Sequence, residues 1–332
     1  MRIDPGGNVK RTDIHETSDF FEYVRLGDDS SPAADRSKID VAVLDMNHSW
    51  PNLGHDSIVH AIFDAADCHR AALTAANLKV RVISHDVRRR MQIPTAPNGR
   101  FQLYVGTGGP GHLDPRENDG KLPWAQGIRE NPAWERPLFQ LFDSIAASDT
   151  ASLIAVCHSF GLMCRWSQSA RPVMRLEKST GMPMNVLTHE GEEHPWFSRF
   201  AAHLPDRRHF RVVDSRLFDL IPESSSKAQQ LAFESTDSSA VTMIELARDE
   251  SGMPRIFGTN AHPEIIDREH ILWVLEEKRA HGEVSDDWYR ERADTMTGLF
   301  QGESERQSRL TSEYTFLALL RHHVGRILAS HT

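Results

Sequence analysis

The chain has little cysteine, no excess of basic residues and no long apolar run. Its 332 residues hold 3 cysteines, Cys68, Cys157 and Cys164, with no C-x-x-C pair among them. That excludes a disulfide-stapled scaffold and a cysteine-rich zinc module, and it reads as reduced thiols in a cytoplasmic protein. A formal net charge of −9 leaves no basic stripe for a nucleic-acid surface. No apolar stretch approaches the roughly 20 residues of a membrane-spanning helix. The start, M-R-I-D-P-G-G-N-V-K, lacks an apolar signal segment. Repeats and low-complexity tracts are absent too. The histidines fall in pairs, His55 with His60, His189 with His194, and His322-His323, whose spacing makes no metal-ligand set. Neither a metal nor another cofactor is therefore expected.

What is present is an alternation of short apolar runs and amphipathic stretches. Residues 1–37 are polar, carry G-D-D-S-S-P and read as an N-terminal arm. D-V-A-V-L-D-M (40–46), Val80–Ile83, Leu103–Val105 and Leu153–Val156 read as buried strands. Asp56-Ser57 is a candidate cap for a helix reaching about residue 76, and Pro137–Ile145 reads as a second helix. Phe210–Val213 and Val241–Leu246 look strand-like. This alternation implies a mostly parallel sheet covered on both faces, with function at the carboxyl ends of the strands. From about residue 267 the chain becomes helical and charged. A helix over roughly 310–329 carries Leu310, Phe316, Leu317, Leu320, Val324, Ile327 and Leu328, an apolar face for the core, a second copy or a partner.

Three motifs carry chemistry. In S-L-I-A-V-C-H-S-F-G-L-M (152–163) the apolar run stops at Cys157 and a helix-like stretch follows. A thiol at such a turn is exposed, and the positive helix N-terminus favours its thiolate. In His262-Pro263-Glu264 the proline keeps the segment extended, which puts His262 and Glu264 on one side. Glu264 can then orient the imidazole that serves Cys157. Residues 102–111, Q-L-Y-V-G-T-G-G-P-G, run from a strand into a glycine turn whose backbone N–H can face an oxyanion. Read as a phosphate loop, this turn lacks a following Lys-Ser or Lys-Thr.

The order G-G-P-G, strand-Cys-helix, H-P-E resembles the class I glutamine amidotransferase family over residues 38–270. The resemblance implies an α/β, flavodoxin-like, doubly wound and mostly parallel sheet, with residues 271–332 as a C-terminal helical extension. It implies Cys157 as nucleophile, His262 as base and Glu264 as its orienter. Gly109 and His158 would supply the oxyanion-hole N–H groups. Gly108, Gly161, Asp214, Ser215 and Arg216 would surround the substrate. The family glutamine four residues after the cysteine is Gly161 here, and Val213-Asp214-Ser215-Arg216 stands where its Ser-His-Gly lies. The reaction centre is kept while the substrate clamp is rewritten. The expected activity is cleavage of a glutamine-type carboxamide through a thioester, with ammonia passing to a partner synthetase. The alternatives are a hydrolase or acyltransferase acting on a γ-glutamyl or other small acyl substrate, and a silent binding subunit of the same fold. A homodimer through the C-terminal helices is a further expectation.

Overall fold

The computed structural model describes residues 18–27, 31–49, 52–266, 268–280, 282 and 284–331, plus two backbone strands, Arg2–Ile3 and Val9–Lys10. Most of the chain start read above for a signal segment lies outside the described residues, as does the middle of G-D-D-S-S-P.

The strands of the body are β1 (Phe21–Arg25), β2 (Lys38–Asp45), β3 (Lys79–Asp86), β4 (Phe101–Gly106), β5 (Ser152–Val156) and β6 (Ala170–Gly181). They continue with β7 (Met184–Leu187), β8 (His209–Arg211), β9 (Asp214–Pro222), β10 (Gln229–Glu234), β11 (Asp237–Arg248) and β12 (Pro254–Thr259). The main sheet has 10 strands in the order β8-β7-β10-β11-β12-β5-β4-β2-β3-β1. From β12 to β1 every pairing is parallel; from β8 to β12 every pairing is antiparallel. The run β3-β2-β4-β5-β12 is the flavodoxin-like strand order, in which the chain reverses direction between β2 and β4. β6 and β9 stand apart as a two-stranded antiparallel ribbon.

The parallel strands are apolar along their length because both faces are covered. On one face α1 (Leu53–Cys68) contributes Ile58 and Ile62 against Val41, Val80 and Ile154. On the other, α2 (Glu135–Ala146) and α3 (His158–Ser167) bring Leu138, Phe142, Phe160 and Met163 against Leu44, Tyr104 and Leu153. α1 starts three residues before the expected cap: Asn52 caps it, its side chain accepting from Gly54 N at 2.5 Å. Asp56 instead points inward, 2.6 Å from His55 Nδ1 and 2.5 Å from Lys278 Nζ. The helix also breaks at His69, and only a short second helix, Arg70–Ala75, carries on.

Two expectations need correction at the ends. Within residues 1–37, Phe21–Arg25 joins the sheet as its edge strand. Phe20 and Phe21 are buried against Phe63, so that part of the stretch belongs to the core. The tail consists of α4 (Arg268–Ala280), α5 (Asp286–Leu299), α6 (Glu303–Ser312), a π turn at Glu313–Leu317 and α7 (Ala318–His331). The helix expected over 310–329 is present, running without a break from Glu303 to His331 with the π turn inside it. Phe316, Leu320, Val324 and Ile327 are buried beside α1 in the chain's own core. That apolar face is therefore consumed within the chain and is not free for a second copy. No described helix is long and apolar enough to cross a membrane.

Candidate active site

Cys157 sits between the end of β5 and the start of α3 with φ 50° and ψ −102°, outside the regions an L-residue ordinarily adopts. The elbow is pinned on both sides. Cys157 N donates to Thr259 O on β12 at 2.8 Å, Ser159 N donates to Thr107 O at 3.2 Å, and the Ser159 hydroxyl donates to the same carbonyl. A tight strand-to-helix turn of this kind presents the thiol rather than burying it, and Cys157 is half-buried.

His262 follows β12. Its N–H donates to Val213 O at 2.8 Å, and its Nδ1 lies 2.8 Å from Glu264 Oε1. The segment is not extended: Ile265 N donates back to His262 O at 3.2 Å, closing a turn that folds Glu264 onto the ring. Glu264 is fully buried. With Nδ1 engaged by Glu264, Nε2 is the nitrogen left to face Cys157, and His262 Cε1 and Cys157 Cβ flank the same spot beside Gly108. Burial opposes a charge on His262, but the Glu264 carboxylate and Cys157 outweigh it and hold the imidazole well above its ordinary pKa. Cys157, His262 and Glu264 thus meet in one constellation.

The glycine turn closes over it. A Cβ on Gly108 would stand 2.9 Å from His262 Cε1, and one on Gly109 would stand 2.2 Å from Met46 O. Both approaches require glycine. The N–H groups of Gly109 and His158 donate to no described backbone or side-chain acceptor. Burial and the nearby Arg88 charge keep His158 well below the ordinary histidine pKa, hence neutral.

Arg88, which the sequence did not single out, locks this turn. Its Nη1 donates to Met46 O at 2.8 Å and to Pro110 O at 2.6 Å. Its Nε and Nη2 reach Glu130 Oε2 and Oε1, both at 2.9 Å, a fully buried bidentate pair.

A cavity of about 300 Å³ opens at the constellation. Cys157, His262, Gly109, His158, Asp214, Ser215 and Arg216 all line it; Gly108 and Gly161 do not. A Cβ on Gly161 would meet Leu113 Cδ1 at 2.5 Å, so Leu113 fills the space a residue-161 side chain would need. Arg216 is not free for a ligand. Its guanidinium meets Asp214 at 2.7 Å, Asp219 at 3.2 Å and Glu234 more closely still. Asp214 Oδ2 also accepts from Ser179 Oγ, and its Oδ1 is buried without a partner among the described residues. The outer wall comes from the extension: Trp288, Arg292, Thr295, Met296 and Leu299 of α5 line the cavity. Their i, i+3, i+4 spacing was the available signal, hidden in a helix that reads as charged and solvated.

No protein-family model matches the chain, and no curated protein matches it by sequence. Solved structures match it by fold. A glutamine amidotransferase from Thermotoga maritima superposes with a TM-score of 0.50 over 87% of this chain and 98% of that one, at 12% identity. A glutamine amidotransferase from Methylobacillus flagellatus reaches 0.44 over 89% and 96%, at 14% identity. The glutaminase domain of Trypanosoma brucei CTPS reaches 0.41 over 68% and 87%, at 9% identity. The chain has the glutamine amidotransferase fold.

Proposed function

We propose that this chain is a cysteine-dependent amidase that cleaves a carboxamide through a thioester on Cys157. One observation carries the reading: a buried imidazole, oriented and held charged by Glu264, lies beside a thiol on a strained strand-to-helix elbow. On this reading the pair reacts as thiolate and imidazolium. The thiolate attacks the amide carbon. The oxyanion that forms accepts from the N–H groups of Gly109 and His158, both of which lack other acceptors among the described residues. His262 gives its proton to the leaving nitrogen, ammonia departs and the thioester remains. His262, now neutral, takes a proton from water as the water attacks the thioester. The acid leaves, and thiolate and imidazolium are restored. Glu264 holds the ring and its charge throughout.

Ammonia made in this way is a substrate for a synthetase, and a cytoplasmic complex with such a partner is part of this reading. Leu113, which fills the place of a side chain at 161, favours a second reading in which the same centre acts on another small acyl donor. Intact-protein mass after acid quenching, with candidate amides and acyl donors in turn, tests both. A mass gain on the wild type that Cys157→Ala abolishes supports the thioester and names its acyl group. Turnover that survives Cys157→Ala refutes it.

A further inference from the structure

The cavity wall carries charge that no partner among the described residues answers. Asp214 is the only acid among the residues lining it, and that carboxylate already serves Arg216 and Ser179. Its remaining oxygen is sealed from solvent. Arg216 is matched by Asp214, Asp219 and Glu234. Two other cations line the cavity, Lys178 on β6 and Arg292 on α5. Neither has a carboxylate within ion-pair distance among the described residues. At the start of α5 charges are paired: Asp287 holds Arg290 at 2.7 Å and Asp286 faces Arg279 at 3.8 Å. Arg292 instead lies over Trp288, 5.7 Å from the ring centroid, which leaves its donors for the cavity. A chain of net charge −9 has ample acid, yet none of the described acids neutralises it.

We propose that the C-terminal extension supplies the specificity of the site: Arg292 binds a carboxylate on the far end of the substrate. Lys178 adds to the positive potential at the mouth. The substrate class is a carboxamide that also bears a carboxylate, such as a dicarboxylic acid monoamide. An α-ammonium is not required, because no carboxylate oxygen of the wall is open to one. This rests on the amidase reading, in that the substrate's reacting end lies at Cys157.

Alkylation of Cys157 tests it without knowledge of the natural substrate. Iodoacetate and iodoacetamide differ in one charge, and the ratio of their rates at Cys157, with Cys68 in the same sample as reference, reads the potential of the cavity. Arg292→Ala should lower that ratio roughly three- to tenfold at low salt, the effect of one partly screened charge. Arg292→Lys should retain most of it. Glutaramate should slow iodoacetamide labelling of the wild type at least as well as L-glutamine does, pentanamide should not, and Arg292→Ala should abolish the protection. An unchanged ratio in Arg292→Ala, or equal protection by pentanamide, overturns the assignment of Arg292. If iodoacetamide fails to label Cys157 at all, the amidase reading itself falls and takes this proposal with it.

Discussion

Oε1 of Glu264 lies 2.8 Å from His262 Nδ1, and a Cβ on Gly54 would come within 2.6 Å of the same oxygen. The first turn of α1 therefore packs directly on the residue that orients the imidazole. In the proposed mechanism Glu264 acts through His262, whereas His262 moves protons itself. Glu264→Gln should therefore keep more activity than His262→Ala, whose loss should be at least about 10²–10⁴-fold, the usual worth of a general acid-base. Steady-state kinetics on any accepted amide checks the ranking, and the reverse order would contradict the assigned roles.

Arg88 and Glu130 form a buried pair beneath the glycine turn. Arg88→Ala strands a buried carboxylate, so it should cost about 3–5 kcal/mol, while the double change Arg88→Ala with Glu130→Ala should cost less than the sum of the singles. Denaturant unfolding of the four proteins measures the coupling. Additive costs would show that the two side chains act independently.

Much of this was legible in the sequence, and the gaps have physical causes. β2, β3, β4 and β5 showed because both faces are buried, so each carries an apolar run, whereas β1, with Glu22 and Arg25, and β12, with Pro254 and Arg255, did not. Cys157 showed because the run stops at it and a helix follows at once. The closeness of His262 and Glu264 was foreseen, but through an extended segment; a hydrogen-bonded turn at His262–Ile265 does it instead. Arg88 and Glu130 stayed hidden because a contact between residues 42 apart leaves no local periodicity. α5 reads as solvated because it contains no fully buried residue, even though one of its faces walls the cavity.

Acid should destabilise the fold through its buried histidines. Burial pushes His85 down to about 4 and His323 down to about 3. An unfolded histidine titrates near 6.5. Between that value and the folded value, the unfolded chain binds protons that the folded chain does not. Stability is therefore intact above about pH 6.5 and is lost as pH falls toward 4. His85 Nε2 has no partner among the described residues, so His85→Leu removes a titrating group without breaking a hydrogen bond at that atom. Its melting temperature should fall less steeply between pH 6.5 and 4.5 than that of the wild type. Parallel curves would remove His85 from the account.

Leu113 occupies the space beside Gly161. The isolated protein should therefore hydrolyse free L-glutamine weakly or not at all. Gly161→Gln combined with Leu113→Ala restores a long polar side chain and the room for it. Ammonia release from L-glutamine should then rise above the wild-type level. Robust hydrolysis by the unmodified chain, with a KM in the ordinary micromolar-to-millimolar range, would mean that the rewritten clamp has no effect on substrate choice.

The central claim is a reactive thiolate at Cys157, and the three cysteines provide their own controls. Cys164 is buried, which pushes its thiol up to about 12, and Cys68 is exposed. The most direct measurement is the rate of iodoacetamide labelling at each cysteine, read by peptide mapping near neutral pH. The account predicts that Cys157 labels fastest, Cys68 more slowly and Cys164 scarcely, and that His262→Ala brings Cys157 down to the rate of Cys68. Labelling of Cys157 at or below the rate of Cys68 in the wild type would contradict it.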